Sequence, residues 1–342
     1  MCSLQRKRKH SELVADETEP QPLLRKNSRP TDWDALKVQA QTRVQKDAPS
    51  DRQNEEMLVD CLFACLKWLP DGGRESLARE IIISETDGSL WKVYQNLLAN
   101  LLYPMKAKWH PRPMEEAQTT EEEFFRAECL ERDSYCCVVS GQMERGHYKS
   151  LDDPPDVFIN HVEAAHIVPL TFGSWECQSE HPTPGVHSWE SLYRYFPNVR
   201  KSGMNVDKLN FSANGLSLGK NLWLAFGQFM MAFEATDVKN KYLMKVYDTF
   251  MTPDLFWIPT DGFVTFSRAE GMEHSSLPDP VLLDCHSRLA EIFDASGLCK
   301  YIDEKIEKWD RMRYGPEEKL KKDGSTDVAE FLKAGLWYSA VS

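Results

Sequence analysis

Apolar side chains recur at helical spacing through the first third of the chain. Leu58, Cys61, Leu62, Cys65, Leu66 and Leu69 follow one another at alternating steps of three and one, and after the break at Asp71-Gly72-Gly73 a second set, Leu90, Tyr94, Leu97, Leu98, Leu101 and Leu102, follows a further helix. Such stripes have to be buried against one another, so 36–107 is read as a small helical bundle whose last helix ends at Pro104. At this spacing Cys61 and Cys65 are core fillers and not a metal pair.

With 342 residues the chain has room for one large domain or two ordinary ones, at about 150 residues per domain. Lys and Arg number 41 against 53 Asp and Glu, a net charge of −12, so no general positive field exists to hold nucleic acid and any such contact must be local. No apolar run approaches the roughly 18 residues that span a bilayer, and residues 1–10 are basic and polar with no apolar signal core. An intracellular protein, nuclear or cytoplasmic and without a membrane partner, is expected. The nine cysteines are odd in number and contain no Cys-x-x-Cys pair, which argues against a disulfide framework and a zinc ribbon.

Four regions are expected: a disordered tail over 1–30, the helical bundle over 31–113, a mixed domain over 120–300 and a charged helical tail over 301–342. The run Arg6-Lys7-Arg8-Lys9 reads either as a nuclear-localisation patch or as an ordinary basic stretch of a tail. Lys106, Lys108, His110 and Arg112 alternate with Trp109 in a Pro-bounded connector, a linker or a phosphate-contact strip. Further on, composition predicts helices over 121–132, 188–196, 220–234 and 282–293, and strands over 136–140, 157–159, 242–250, 255–258 and 263–266.

Three motifs stand in order within the mixed region. Arg132-Asp133-Ser134-Tyr135-Cys136-Cys137-Val138-Val139-Ser140-Gly141 is followed by Glu163-Ala164-Ala165-His166-Ile167-Val168-Pro169 and then by Asn214-Gly215-Leu216-Ser217-Leu218 before a helix. Together they resemble the HNH endonuclease family, in the branch common among fungal proteins, and the resemblance spans about 58–303. It implies an α+β fold: an N-terminal helical bundle docked on a ββα-metal domain with additional strands and a C-terminal helix. It also implies DNA as partner, His166 as general base, Asn214 as the residue orienting its ring, and a divalent cation of the Mg, Mn, Zn or Ni class. The chemistry suits those residues. An imidazole titrating near neutrality can take a proton from the attacking water, and a cation can neutralise the scissile phosphate and the leaving oxygen.

The sequence departs from the resemblance on the helix. Counting from Asn214, the position of the family's histidine holds Trp223 and that of its aspartate holds Gly227, so the metal ligands are unknown. Trp223, Phe226, Met230 and Phe233 form an apolar stripe that reads as core. Asn221 and Gln228 share another face, and carboxamides alone hold a catalytic divalent cation poorly. His161 falls on the opposite strand face from His166. Cys177, His181 and His187 have zinc-compatible spacing but no evident fourth ligand.

Three functions follow. The first is a metal-dependent HNH endonuclease, and the second is a catalytically dead pseudo-nuclease that binds nucleic acid or protein. The third is a protein-interaction factor that uses the aromatic insertion 175–196.

Overall fold

The computed structural model describes residues 32–48, 50, 52, 55–106, 120–170, 172 and 188–304. The expected tail over 1–30, residues 305–342 of the expected tail over 301–342, the connector after Lys106 and residues 175–187 of the insertion 175–196 lie outside the described residues.

The apolar stripes form helices that pack together. Helix α1 (Asp32–Gln45) packs on α3 (Gly73–Ile83), α2 (Leu58–Trp68) packs on α1, α3 and α4 (Asp87–Leu97), and Leu58, Leu62, Leu77, Leu90 and Tyr94 are completely buried. The hydroxyl of Thr86 caps α4 by accepting from the Ser89 amide at 3.2 Å, satisfying one of the donors that a helix start leaves open. Pro104 does not end the last helix. The chain widens into a π turn at Leu98–Leu102, where Tyr103 N–H bonds to Leu98 O, and Pro104 then sits inside the short helix α5 (Tyr103–Lys106). A π turn already interrupts the regular ladder, so the missing proline donor disturbs little there.

Helix α6 (Thr120–Arg132) leads into the mixed region, followed by β1 (Met143–Glu144), α7 (Arg145–Ser150), β2 (Ile159–Asn160) and β3 (Val162–His166). Residues 136–140 are not the expected strand. Ser134 and Tyr135 are left-handed, with φ of 57° and 55°, and they curl the chain so that only Cys136 makes a bridge, to Met143.

After helices α8 (Ser188–Tyr195) and α9 (Pro197–Lys201), β4 (Gly215–Gly219) returns antiparallel to β3, pairing Val162 with Gly219 and His166 with Gly215. Helix α10 (Lys220–Gly227) then packs across both strands, completing a ββα unit.

The helix expected over 220–234 is therefore half as long. Phe229 adopts φ of 59°, which no α-helix tolerates, and Met231–Ala235 (β5) pairs instead with β6 (Lys241–Val246), itself paired with β7 (Phe263–Thr265). Met230 and Phe233 thus reach the core by strand alternation and loop, not by helical spacing. Residues 252–257 form a 3₁₀ helix in place of the expected strand over 255–258.

Helix α11 (Pro280–Ser296) packs on α2 and on β5, and the chain resumes as helix over 298–304 after the turn at Gly297. One continuous core therefore joins the helices to the sheets, and the fold mixes α and β.

Candidate functional site

His166 closes β3 opposite Gly215. The absence of a side chain at Gly215 lets Phe125 and Cys129 of α6 press against the hairpin, since a Cβ there would lie 2.5 Å from Cys129 Sγ and 2.6 Å from Phe125 Cζ. Phe125, itself buried, stacks on the His166 ring with centroids 3.9 Å apart and planes at 15°. Burial pushes the Cys129 thiol up to about 12, so it packs as a neutral group.

The ring is oriented by Asn210. Its Oδ1 lies 3.0 Å from His166 Nε2, and its Nδ2 donates to the Glu121 carboxylate at 3.4 Å. A carboxylate only accepts, so the Glu121 contact turns Oδ1 toward the imidazole and places the ring proton on Nε2.

The orienting contact expected of Asn214 is thus made by Asn210, four residues earlier. Asn214 is fully buried, and its carboxamide clamps backbone: Oδ1 accepts from Val168 N at 2.8 Å, while Nδ2 donates to Val168 O and Leu209 O, both at 2.9 Å. It fixes the strand exit and the residue next to Asn210, so its effect on the imidazole passes through the backbone. Composition carried no signal for Asn210, because its role comes from the loop that Asn214 folds back.

A second fastener holds the start of β4. Arg132, fully buried, makes a bidentate pair with Asp133 at 2.7 Å for both bonds and donates to the carbonyls of Ser212, Gly215 and Ser276. Burial opposes its charge, but the Asp133 contacts outweigh that and hold its pKa above the ordinary value. Asp133 also accepts from Ser217 N at 3.1 Å. The Arg-Asp motif is therefore a structural anchor for the hairpin.

Among the described residues, those near His166 do not fit a catalytic divalent cation. Such an ion needs several anionic or imidazole donors, and Trp223 and Gly227 offer none. Trp223 is partly buried against the core, and among the described residues no three His, Cys, Asp or Glu side chains converge. Asn221 is bound to Asp254, Nδ2 to Oδ1 at 2.8 Å, and Gln228 caps α10 while its carbonyl takes Lys106 Nζ at 3.4 Å. His161 is exposed at the opposite end of β3. Cys177, His181 and His187 lie outside the described residues.

Two other expectations change. Lys106, a candidate phosphate contact, is 2% exposed and paired with Asp303 at 3.0 Å, while Lys108 and Arg112 lie outside the described residues. In the insertion 175–196, Trp189, Tyr195 and Phe196 are buried and Tyr193 is half-buried. Trp189 Nε1 donates to Phe172 O at 3.0 Å and Tyr195 Oη to Glu80 at 3.1 Å. These aromatics are core, not an interaction surface.

Residues 137–234 match the family model described as HNH endonuclease, a stretch that begins at Cys137 and takes in the hairpin, α10 and most of β5. No curated protein and no solved structure matches the chain. Among the described residues no helix is long and apolar enough to cross a membrane.

Proposed function

We propose that this chain is a non-cleaving protein of HNH architecture, one that keeps the ββα scaffold and its histidine but works by binding. The observation that carries the reading is that, among the described residues, no ligand set gathers around His166: Trp223 packs against the core, Gly227 has no side chain, and the carboxamide of Asn221 is spent on Asp254. A cation could not be held there at low cost, and without one the charge of a scissile phosphate goes unanswered. Glu121, the first acidic residue of α6, reaches the imidazole through Asn210 and adds negative charge beside it.

One observation favours an active nuclease, namely that the imidazole is held in a defined orientation by Asn210, as a general base requires. A single assay decides between them. Supercoiled DNA and single-stranded RNA are incubated with the full chain in Mg²⁺, Mn²⁺, Zn²⁺ or Ni²⁺, beside His166→Ala. Equal, background nicking by both proteins is expected; cleavage by the wild type that His166→Ala abolishes overturns the proposal.

A further inference from the structure

At the far end of the hairpin from His166 a line of exposed aromatic rings crosses two chain segments. Phe158, just before β2, meets Trp257 edge-on with centroids 5.9 Å apart, and Trp257 meets Phe256 edge-on at 5.0 Å. Phe158 is 67% and Phe256 79% exposed, and Ile159, Leu255 and Met251 beside them in sequence are exposed as well. The segment carrying Phe256 and Trp257 is not a loose end. Asp254 is buried and accepts from Asn221 of α10, which ties the 3₁₀ helix to the ββα unit and presents the rings on a fixed base. Large exposed aromatics held in this way are costly to leave in water, and they mark contact surfaces.

The charge beside them says what fits. The loop that delivers Phe158 reads Asp152-Asp153-Pro154-Pro155-Asp156, its three aspartates are exposed, and among the described residues they form no ion pair. Arg145 and Lys149 of α7 lie upstream and Lys220 opens α10 beside His161, so the acidic character is local to the 152–156 loop that delivers Phe158. Aromatic faces attract guanidinium and ammonium groups, and adjacent carboxylates pair with the same cations. A polyanion gains from the rings and loses to the aspartates.

We infer that this strip is a docking surface for a basic peptide segment of a partner protein, with arginine or lysine side chains laid over the rings of Phe158 and Phe256 and directed at the aspartates of 152–156. The inference does not depend on whether the hairpin cleaves, since it uses no residue of the His166 site.

The test is fluorescence anisotropy of the full chain with a labelled peptide of alternating arginine and leucine. A glutamate-leucine peptide and oligothymidylate serve as comparison probes. Saturable binding of the arginine peptide alone is expected, weakened about tenfold by Phe158→Ala with Phe256→Ala, which sit on the surface and leave the melting temperature unchanged. Asp153→Asn with Asp156→Asn keeps residues that tolerate a left-handed backbone and is expected to flatten the salt dependence.

Five results would overturn the inference. The first is equal affinity for the acidic peptide, and the second is binding indifferent to both aromatic substitutions. Aromatic-dependent binding of oligothymidylate alone assigns the strip to nucleic acid, and concentration-dependent dimers lost in Phe256→Ala assign it to a second copy. Should peptide binding appear only when Arg6, Lys7, Arg8 and Lys9 are replaced by serine, the occupant is the chain's own basic run and not a partner.

Discussion

His166 and Asn210 meet at 3.0 Å, Nε2 to Oδ1, and the carboxamide is held in that sense by Glu121. Nε2 therefore acts as the donor in this contact, because the oxygen of a carboxamide only accepts. Asn210→Ala removes the acceptor while Phe125 continues to stack on the ring. Nitrogen-15 chemical shifts of His166 are expected to report protonated Nε2 in the wild type, and a mixture of tautomers in Asn210→Ala. Unchanged shifts would show that Asn210 does not set the tautomer.

Gly215 is required by close approach and not by an unusual backbone angle, because its φ of −133° is open to any residue. A methyl group there meets Cys129 and Phe125 at less than 3 Å, so the hairpin and α6 must separate. Gly215→Ala is expected to cost about 1–3 kcal/mol or more, as overpacking does elsewhere. Equilibrium urea unfolding measures this, and a variant as stable as the wild type would mean that α6 does not press on β4.

His286 lies buried between Phe226 and Phe229, with ring centroids 3.8 and 4.5 Å away, and its Nε2 donates to Phe226 O at 3.0 Å. Burial lowers its pKa from 6.5 to about 3, with the Phe226 hydrogen bond opposing that shift. Between those values the unfolded chain takes up a proton that the folded chain refuses, so stability falls as pH drops below 6.5 and levels off near 3. His286→Phe is expected to lose much of the stability difference between about pH 7 and pH 4.5 that the wild type shows in urea titrations. An unaltered difference would place the acid sensitivity elsewhere.

The elements that were legible in the sequence are those whose cause is local. The stripes of 58–69 and 90–102 became helices, and 121–132 and 282–293 did as well, because 3.6-residue spacing and burial agree there. Residues 220–234 misled because the apolar residues after Gly227 keep helical spacing by coincidence. The turn at Phe229 and the pairing of Met231 with Val246 are tertiary choices that no spacing records. The run 136–140 has strand composition, yet its backbone amides go elsewhere, Cys137 N to Gln142 O and Val138 N to Ser217 O. At the site, the Ala-Ala-His-Ile and Asn-Gly motifs located the hairpin. The contact made by Asn210 depends on a loop folded back by Asn214, and it became visible only with the coordinates.

The reading of this ββα unit as one without a catalytic cation is tested most directly by melting temperature with and without Mg²⁺ and Mn²⁺. Wild type, His166→Ala and the double variant Trp223→His with Gly227→Asp are compared, because an ion that binds only the folded state must raise its melting temperature. No shift is expected in the wild type or in His166→Ala, and a rise is expected only where the two helix donors have been introduced. A metal-dependent rise in the wild type that His166→Ala removes would contradict that reading.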